Sequence, residues 1–241
     1  MATKTEKPEK NPLTKDLLTA CEQLEERYGQ RRALPHGDFI ESLLFQILDL
    51  GASEKASRDA LARLKTEYVD WNDMRVASVR EIEDVLGARF PDVRNKAEDV
   101  KAALAALYTA FRKLELDKTT IAPEAIETLR ALPDYTTIRR DMVERALMLT
   151  LEVKMLPIDD DQFRQLKFLE GVPKHANLQN FGKKIEEALS IEELLRLSRV
   201  LREHVHVWRA AGEDDPQALD FGLKKKDAAP KDKTTRRVAK K

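Results

Sequence analysis

Apolar residues recur three or four positions apart along almost the whole chain, from about residue 12 to about residue 212. Residues with this spacing lie on one face of an α-helix, whereas a half-buried strand needs strict alternation. No segment alternates convincingly, and no repeat of fixed period is found. The spacing therefore predicts an all-α fold of about ten helices without a sheet. One continuous stripe comprises Val93, Ala97, Val100, Leu104, Leu107, Phe111 and Leu114.

Local signals indicate where several helices begin. Ser78 is followed three residues later by Glu81, and Ser190 by Glu193. This spacing is typical of a capping box, in which side chain and backbone at a helix start bond each other reciprocally. From residue 142 to residue 155 the chain is apolar on nearly every side, which predicts a helix through the middle of a bundle.

Composition excludes several classes of protein. Cys21 is the only cysteine, which excludes a disulfide within the chain and a metal or iron–sulfur site built on several thiolates. No apolar run approaches the roughly 18–20 residues of a membrane span, and no signal peptide is recognisable at the start. His204 and His206 stand two positions apart, on different helix faces, so no metal site is predicted. We expect a cytoplasmic, nucleoid-associated protein without a cofactor.

Charge is distributed unevenly although the chain has 43 basic and 43 acidic residues. Residues 222–241 carry nine Lys or Arg and two Asp, a net charge of +7, which leaves −7 on residues 1–221. A basic tail without aromatic residues is suited to non-specific contact with DNA phosphates. The alternative is a solubilising tail, with the acidic body binding a protein partner. The tail residues predicted to contact DNA are Lys224, Lys225, Lys226, Arg236 and Arg237.

The order of four stretches is similar to that of a known family. An opening "LPHGDFIESLLFQILDLGASEKA" is followed by "VRNKAEDVKAAL", then "ETLRALPDYT", then "PIDDDQFRQL". Together they resemble the helix–hairpin–helix DNA glycosylase superfamily, endonuclease III-like but divergent, over about residues 36–170. The four-cysteine iron–sulfur cluster of that family is absent here.

The resemblance implies two helical subdomains with DNA across the cleft between them and the damaged base flipped into it. A six-helix barrel would span residues 36–157. Residues 12–35 and 158–212 would form the second subdomain. Residues 1–11 and 213–241 would be a disordered start and a linker with a disordered basic tail.

The segment "LPDYTTIRR" departs from the family pattern. The family's hairpin has glycines whose backbone amides approach a phosphate, but here Asp134, Tyr135 and Thr136 follow Pro133. The alternative is that Pro133 ends one helix and a polar residue caps the next. Ile138 stands where bifunctional members carry the attacking lysine. Arg139 and Arg140 follow it, and arginine does not serve as an amine nucleophile.

Four residues are therefore candidates for a site. The resemblance places Asp159 on the catalytic aspartate, although Asp159 with Gln162 also fits a helix N-cap. Arg139 and Arg140 are predicted to contact DNA phosphates. Gln46 is predicted to fill the gap left by a flipped base, or alternatively to continue a core helix.

Three functions remain open. The first is a DNA-binding protein of this superfamily with a degenerate catalytic constellation, without AP-lyase activity. The second is an active monofunctional glycosylase using Asp159. The third is a helical scaffold for a protein partner that does not bind DNA.

Overall fold

Eleven α-helices make up the regular structure of the part of the chain described by a computed structural model, namely residues 12–29, 37–116, 123–132, 138–167, 172–173 and 175–210. No β-strand occurs within these ranges, and the predicted all-α fold is confirmed. The helices are α1 (Pro12–Tyr28), α2 (Phe39–Asp49), α3 (Glu54–Glu67), α4 (Trp71–Val76), α5 (Val79–Leu86), α6 (Val93–Phe111), α7 (Pro123–Arg130), α8 (Arg140–Leu151), α9 (Asp160–Leu166), α10 (Leu178–Ala188) and α11 (Ile191–Ala210).

Both predicted capping boxes are present. At the start of α5, the Ser78 hydroxyl accepts from the backbone N–H of Glu81, whose carboxylate accepts from the backbone N–H of Ser78 at 2.6 Å. The same reciprocal pair joins Ser190 and Glu193 ahead of α11, at 2.9 and 3.2 Å. These bonds satisfy backbone donors that the first turn of a helix leaves free.

Helices α2 and α8 form the centre of the molecule. In α2 every side chain from Phe39 to Leu48 except Glu41 is buried, and in α8 residues 141–148 are buried. The two helices pack on each other, and α2 also contacts α3 and α6. The prediction of a central helix from residue 142 is confirmed, but its predicted end at residue 155 is wrong. Helix α8 ends at Leu151, because Glu152 takes a left-handed conformation with φ +56°.

Helix α11 joins the first helix to the helices near the C-terminal end of the fold. It packs along α1 and also contacts α8 and α9. Arg196 of α11 donates two hydrogen bonds to the Glu25 carboxylate of α1, at 2.9 and 2.6 Å. One turn further on, the Tyr28 hydroxyl lies 2.7 Å from His204 Nδ1. The Cys21 thiol of α1 is buried, and burial raises its pKa to about 12.

Two helices were not predicted from the sequence. Ahead of α11 lies α10, whose start is capped by the Asn177 side chain. The short α4, whose start is capped by the Asp70 side chain, was not predicted as a separate helix. The predicted boundaries of the two subdomains stay predictions. The predicted disordered ends, residues 1–11 and 213–241, lie outside the described ranges.

Candidate functional site

Asp159 lies at the junction of the loop after α8 with the start of α9. Its Oδ1 accepts a hydrogen bond from the backbone N–H of Gln162 at 2.7 Å, so it is the N-cap of α9. Its Oδ2 accepts a hydrogen bond from Arg139 Nη2 at 2.5 Å. The side chain remains 22% exposed. The N-cap interpretation is confirmed, while the catalytic role stays a prediction.

Arg139 directs its guanidinium group into the protein from the residue before α8. Its Nε and Nη2 donate to the two carboxylate oxygens of Asp141, at 2.9 and 3.2 Å, in addition to the bond to Asp159. The Asp141 side chain is fully buried and that of Arg139 is 25% exposed. Such two-pronged ion pairs fix geometry as well as charge. Arg139 therefore connects two carboxylates, and its predicted DNA contact stays a prediction.

The end of α11 extends this ion network. Arg209 Nη2 donates a hydrogen bond to Asp161 Oδ2 and lies 4.0 Å from Asp159 Oδ2. Arg164 lies one turn along α9, with its Nη1 3.3 Å from Asp161 Oδ1. Three helices, α8, α9 and α11, thus contribute charged groups to one cluster, which we call the junction cluster: Arg139, Asp141, Asp159, Asp161, Arg164 and Arg209.

Burial sets the protonation behaviour of Asp159. Loss of hydration raises the pKa of its carboxyl above the ordinary value, while the hydrogen bond from Gln162 and the charge of Arg139 act in the opposite direction. The carboxyl group is therefore a better proton acceptor than an aspartate in water. Its negative charge is nevertheless already compensated by the adjacent guanidinium group.

Gln46 lies in the interior at the C-terminal end of α2. Its side chain is 4% exposed and its Oε1 accepts a hydrogen bond from Arg202 Nη1 at 3.0 Å. Arg202 Nη2 donates to the backbone carbonyl of Gln46 at 3.1 Å and lies 3.8 Å from Asp49 Oδ2. The alternative of a core helix agrees with this position. A contact with DNA, which would require Gln46 to leave Arg202, stays a prediction.

Two further buried cations were not recognised from the sequence. Lys96 is 4% exposed and donates from Nζ to the Leu48 carbonyl at 2.6 Å, and burial lowers its pKa to about 8. Arg145 is 5% exposed, and burial followed by the charge of Arg202 lowers its pKa to about 9. Lys96 lies in the stretch "VRNKAEDVKAAL", and Arg145 lies in the apolar segment that begins at residue 142. Neither sequence pattern indicated that the side chain is buried.

The other predicted residues are either exposed or outside the described ranges. Arg140 is exposed at the first turn of α8. Pro133 and residues 134–136 of the expected hairpin are not among the described residues, nor are the tail residues Lys224, Lys225, Lys226, Arg236 and Arg237. Within the part that is described, no group of His, Cys, Asp and Glu is arranged to hold a metal ion. There, too, no helix has the length and apolarity of a bilayer span.

Comparison with solved structures places this arrangement of helices in a known fold. A trapped covalent intermediate of endonuclease III with DNA, in an estranged-adenine complex, superposes with a TM-score of 0.54 at 16% identity, covering 78% of this chain and 84% of that one. A non-covalent endonuclease III–DNA complex gives 0.53 with the same identity and coverage. The 3-methyladenine DNA glycosylase MagIII from H. pylori, bound to 1,N6-ethenoadenine, gives 0.52 at 15% identity, covering 84% of this chain and 99% of that one.

The chain has the helix–hairpin–helix DNA glycosylase fold. No family model matches the sequence, and no curated protein matches it. The fold implied by the four sequence stretches is confirmed by these structural neighbours.

Proposed function

We propose that this protein binds DNA through a glycosylase-like body whose catalytic constellation has become degenerate. The observation that carries the proposal is the state of the junction cluster. Asp159, which the resemblance places on the catalytic aspartate, has one oxygen bonded to the backbone of Gln162 and the other to Arg139.

Compensation of its charge weakens Asp159 as a catalyst. A glycosylase carboxylate stabilises a cationic sugar in the transition state or activates a water molecule. Arg139 lies 2.5 Å from Asp159 Oδ2, so a developing positive charge on a sugar would meet a guanidinium group as well as the carboxylate. Like charges at such distances oppose each other, and the gain from the carboxylate is reduced accordingly.

Lyase chemistry is also disfavoured. Ile138, at the position of the attacking lysine in the ungapped comparison, is 3% exposed. The next residue, Arg139, carries a guanidinium group that stays protonated and holds two carboxylates. Neither residue supplies the neutral amine that a Schiff base requires.

The protein would hold DNA through contacts between basic side chains and the DNA phosphates. Arg140 is exposed at the first turn of α8, beside the junction cluster, and the tail of residues 222–241 adds nine basic side chains. Contacts of this kind depend on charge rather than on base sequence. Binding of this type is consistent with a cytoplasmic protein of the nucleoid.

The salt dependence of DNA affinity tests the binding proposal. For the full chain, we expect log K for a plain duplex to fall steeply with log salt, and deletion of residues 222–241 to remove most of the slope. Arg140→Ala should reduce the slope by about one unit. Arg80→Ala, which removes an exposed arginine from α5, serves as the control and should leave the slope unchanged. Absence of binding at low salt would refute the proposal and favour the protein-interaction scaffold.

A surviving monofunctional glycosylase is the second candidate, favoured by the 22% exposure and raised pKa of Asp159. Duplexes with uracil, oxidised bases or alkylated bases should be incubated with the full chain and assayed for base release. The degenerate site predicts no release. If release occurs, is lost in Asp159→Asn and is retained in the neighbouring Asp160→Asn, the protein is an enzyme that uses Asp159.

A further inference from the structure

A pocket of about 590 Å³ opens at the end of α2 that is remote from the buried Gln46. It lies between the start of α2, the segment at the end of α3, the first turn of α4 and the end of α6. Helix α2 has 11 residues, so its two ends are about 16 Å apart. None of the residues that line the pocket belongs to the junction cluster, and its volume is typical of ligand sites.

Aromatic rings form much of the wall. Tyr68, Trp71 and Tyr108 line the pocket together with the apolar side chains of Met74 and Leu114. Trp71 is held in place because its Nε1 donates to Asp38 Oδ2 at 3.4 Å. The Tyr68 hydroxyl is buried without a hydrogen-bond partner among the described residues. A wall of this kind offers aromatic ring faces to an incoming ligand.

Carboxylates outnumber amines around the same pocket. The acidic lining residues are Asp38, Glu41, Asp70 and Glu115, and the basic ones are Lys65 and Lys113. Lys65 Nζ already lies 2.7 Å from Glu41 Oε2, so it compensates one of the four acids. The remaining excess of negative charge, next to electron-rich ring faces, favours a cation and opposes a phosphate or a nucleic acid.

One ring of the wall already interacts with a cation of this chain, which leaves Trp71 as the ring for a ligand. The guanidinium carbon of Arg75 lies 4.1 Å from the centre of the Tyr108 ring. Planar guanidinium groups stack on aromatic faces more readily than ammonium groups do. Val69 also lines the pocket, is 93% exposed and offers an apolar contact at its rim.

We propose that this pocket binds an arginine side chain from an extended basic segment of a protein partner. The guanidinium group stacks against Trp71 and donates to the carboxylates of Glu41 or Asp70, and its neighbours along the segment pack on Val69. The volume of about 590 Å³ exceeds what one guanidinium group fills, which leaves space for the aliphatic stem and part of the partner's backbone.

Tryptophan fluorescence provides a direct test, because the chain has only two tryptophans, Trp71 and Trp208. In full-length Trp208→Phe, Trp71 is the sole reporter. We expect titration with a short acetylated peptide containing one arginine to change its emission. Replacing that arginine with citrulline, which keeps the shape and removes the charge, should weaken binding about tenfold.

A matched pair of charge variants locates the site. Glu41→Gln removes one lining carboxylate and should weaken binding of the arginine peptide about threefold. Glu187→Gln removes an equal charge from the exposed surface of α10 and should have no effect. Calorimetry with the unaltered chain repeats the titration without the Trp208 substitution.

Three results would overturn the proposal. They are equal affinity for the arginine and citrulline peptides, equal effects of Glu41→Gln and Glu187→Gln, and displacement of the peptide by a single-stranded oligonucleotide from the Trp71 site. The last result would assign the ring faces to stacking with bases.

Discussion

Acidification should lower the free energy of unfolding of this protein, because a histidine is buried where α11 packs on α1. His204 is fully buried beside Tyr28, and burial, followed by the charge of Arg27, lowers its pKa to about 4. The unfolded chain leaves the imidazole in water with its ordinary pKa of about 6.5. Between pH 6.5 and about 4, His204 is protonated in the unfolded state but remains neutral in the folded state. Stability is therefore lost as the pH falls from about 6.5 to about 4.

The loss in the free energy of unfolding can be calculated from the change in the pKa of His204. A change from 6.5 to about 4 corresponds to about 3 kcal/mol once the pH is below both values. Such a loss is a large part of the 5–15 kcal/mol that is typical of a folded domain.

Glu144 acts in the opposite direction over nearly the same pH range. Burial raises the pKa of this α8 carboxyl to about 7, so the folded state holds a proton that the unfolded chain releases above its ordinary value of 4.5. Its contribution to stability is full below pH 4.5 and is lost as the pH rises through about 7. The net pH profile of the natural chain is therefore flatter than His204 alone would make it.

Urea unfolding of the natural chain and of His204→Gln between pH 7.5 and pH 4.5 separates the two effects. The glutamine does not titrate, so the free energy of unfolding of the variant should fall less on acidification than that of the natural chain, by about 2.5 kcal/mol over this pH range. Glu144→Gln should show the reverse, with a steeper loss on acidification. Parallel profiles for the natural chain and His204→Gln would refute the assignment of a depressed pKa to His204.

Two further predictions concern charge and backbone. Arg139→Met leaves the fully buried Asp141 carboxylate without its bidentate partner and should cost about 3 kcal/mol in urea unfolding at pH 7. The deficit should shrink at low pH as Asp159, which also loses Arg139 and whose pKa is raised by burial, takes up a proton; an equal deficit at all pH values would contradict this. Gly51→Ala should cost more than Gly29→Ala in the same measurement, by about 1 kcal/mol. Both glycines have positive φ, at +70° and +85°, but only at Gly51 would a new Cβ meet a neighbour, His206 Cε1 at 2.9 Å. Equal costs would show that His206 moves aside freely.

The helical class and several helix starts are predictable because their causes are local. Apolar spacing fixes which face of a helix is buried, and the pairs Ser78–Glu81 and Ser190–Glu193 need only four consecutive residues to form. Helix α10 was missed because the glycine at position 182 and the asparagines before it lower the intrinsic helix preference of that segment. There, packing of Phe181 and Ile185 into the core overrides the local preference.

The site was predicted less well because its chemistry depends on contacts between distant segments. The spacing of Asp159 and Gln162 correctly predicted an N-cap. Nothing within α8 indicated that Arg139 would turn inward, since Asp159 lies 20 positions further along the chain. Gln46 was considered for DNA because of its polarity, but its neighbour Arg202 lies 156 positions away. Such partners become visible only when the chain is folded.

The lone thiol of Cys21 can report when α1 separates from α11. A thiol is attacked as its thiolate, and burial raises the pKa of this one to about 12, so alkylating reagents have almost no reactive form to attack while α1 lies against α11. Each labelling event then records one opening of that helix pair. Mass spectrometry of the alkylated fraction against time would compare how readily this helix pair opens with and without DNA.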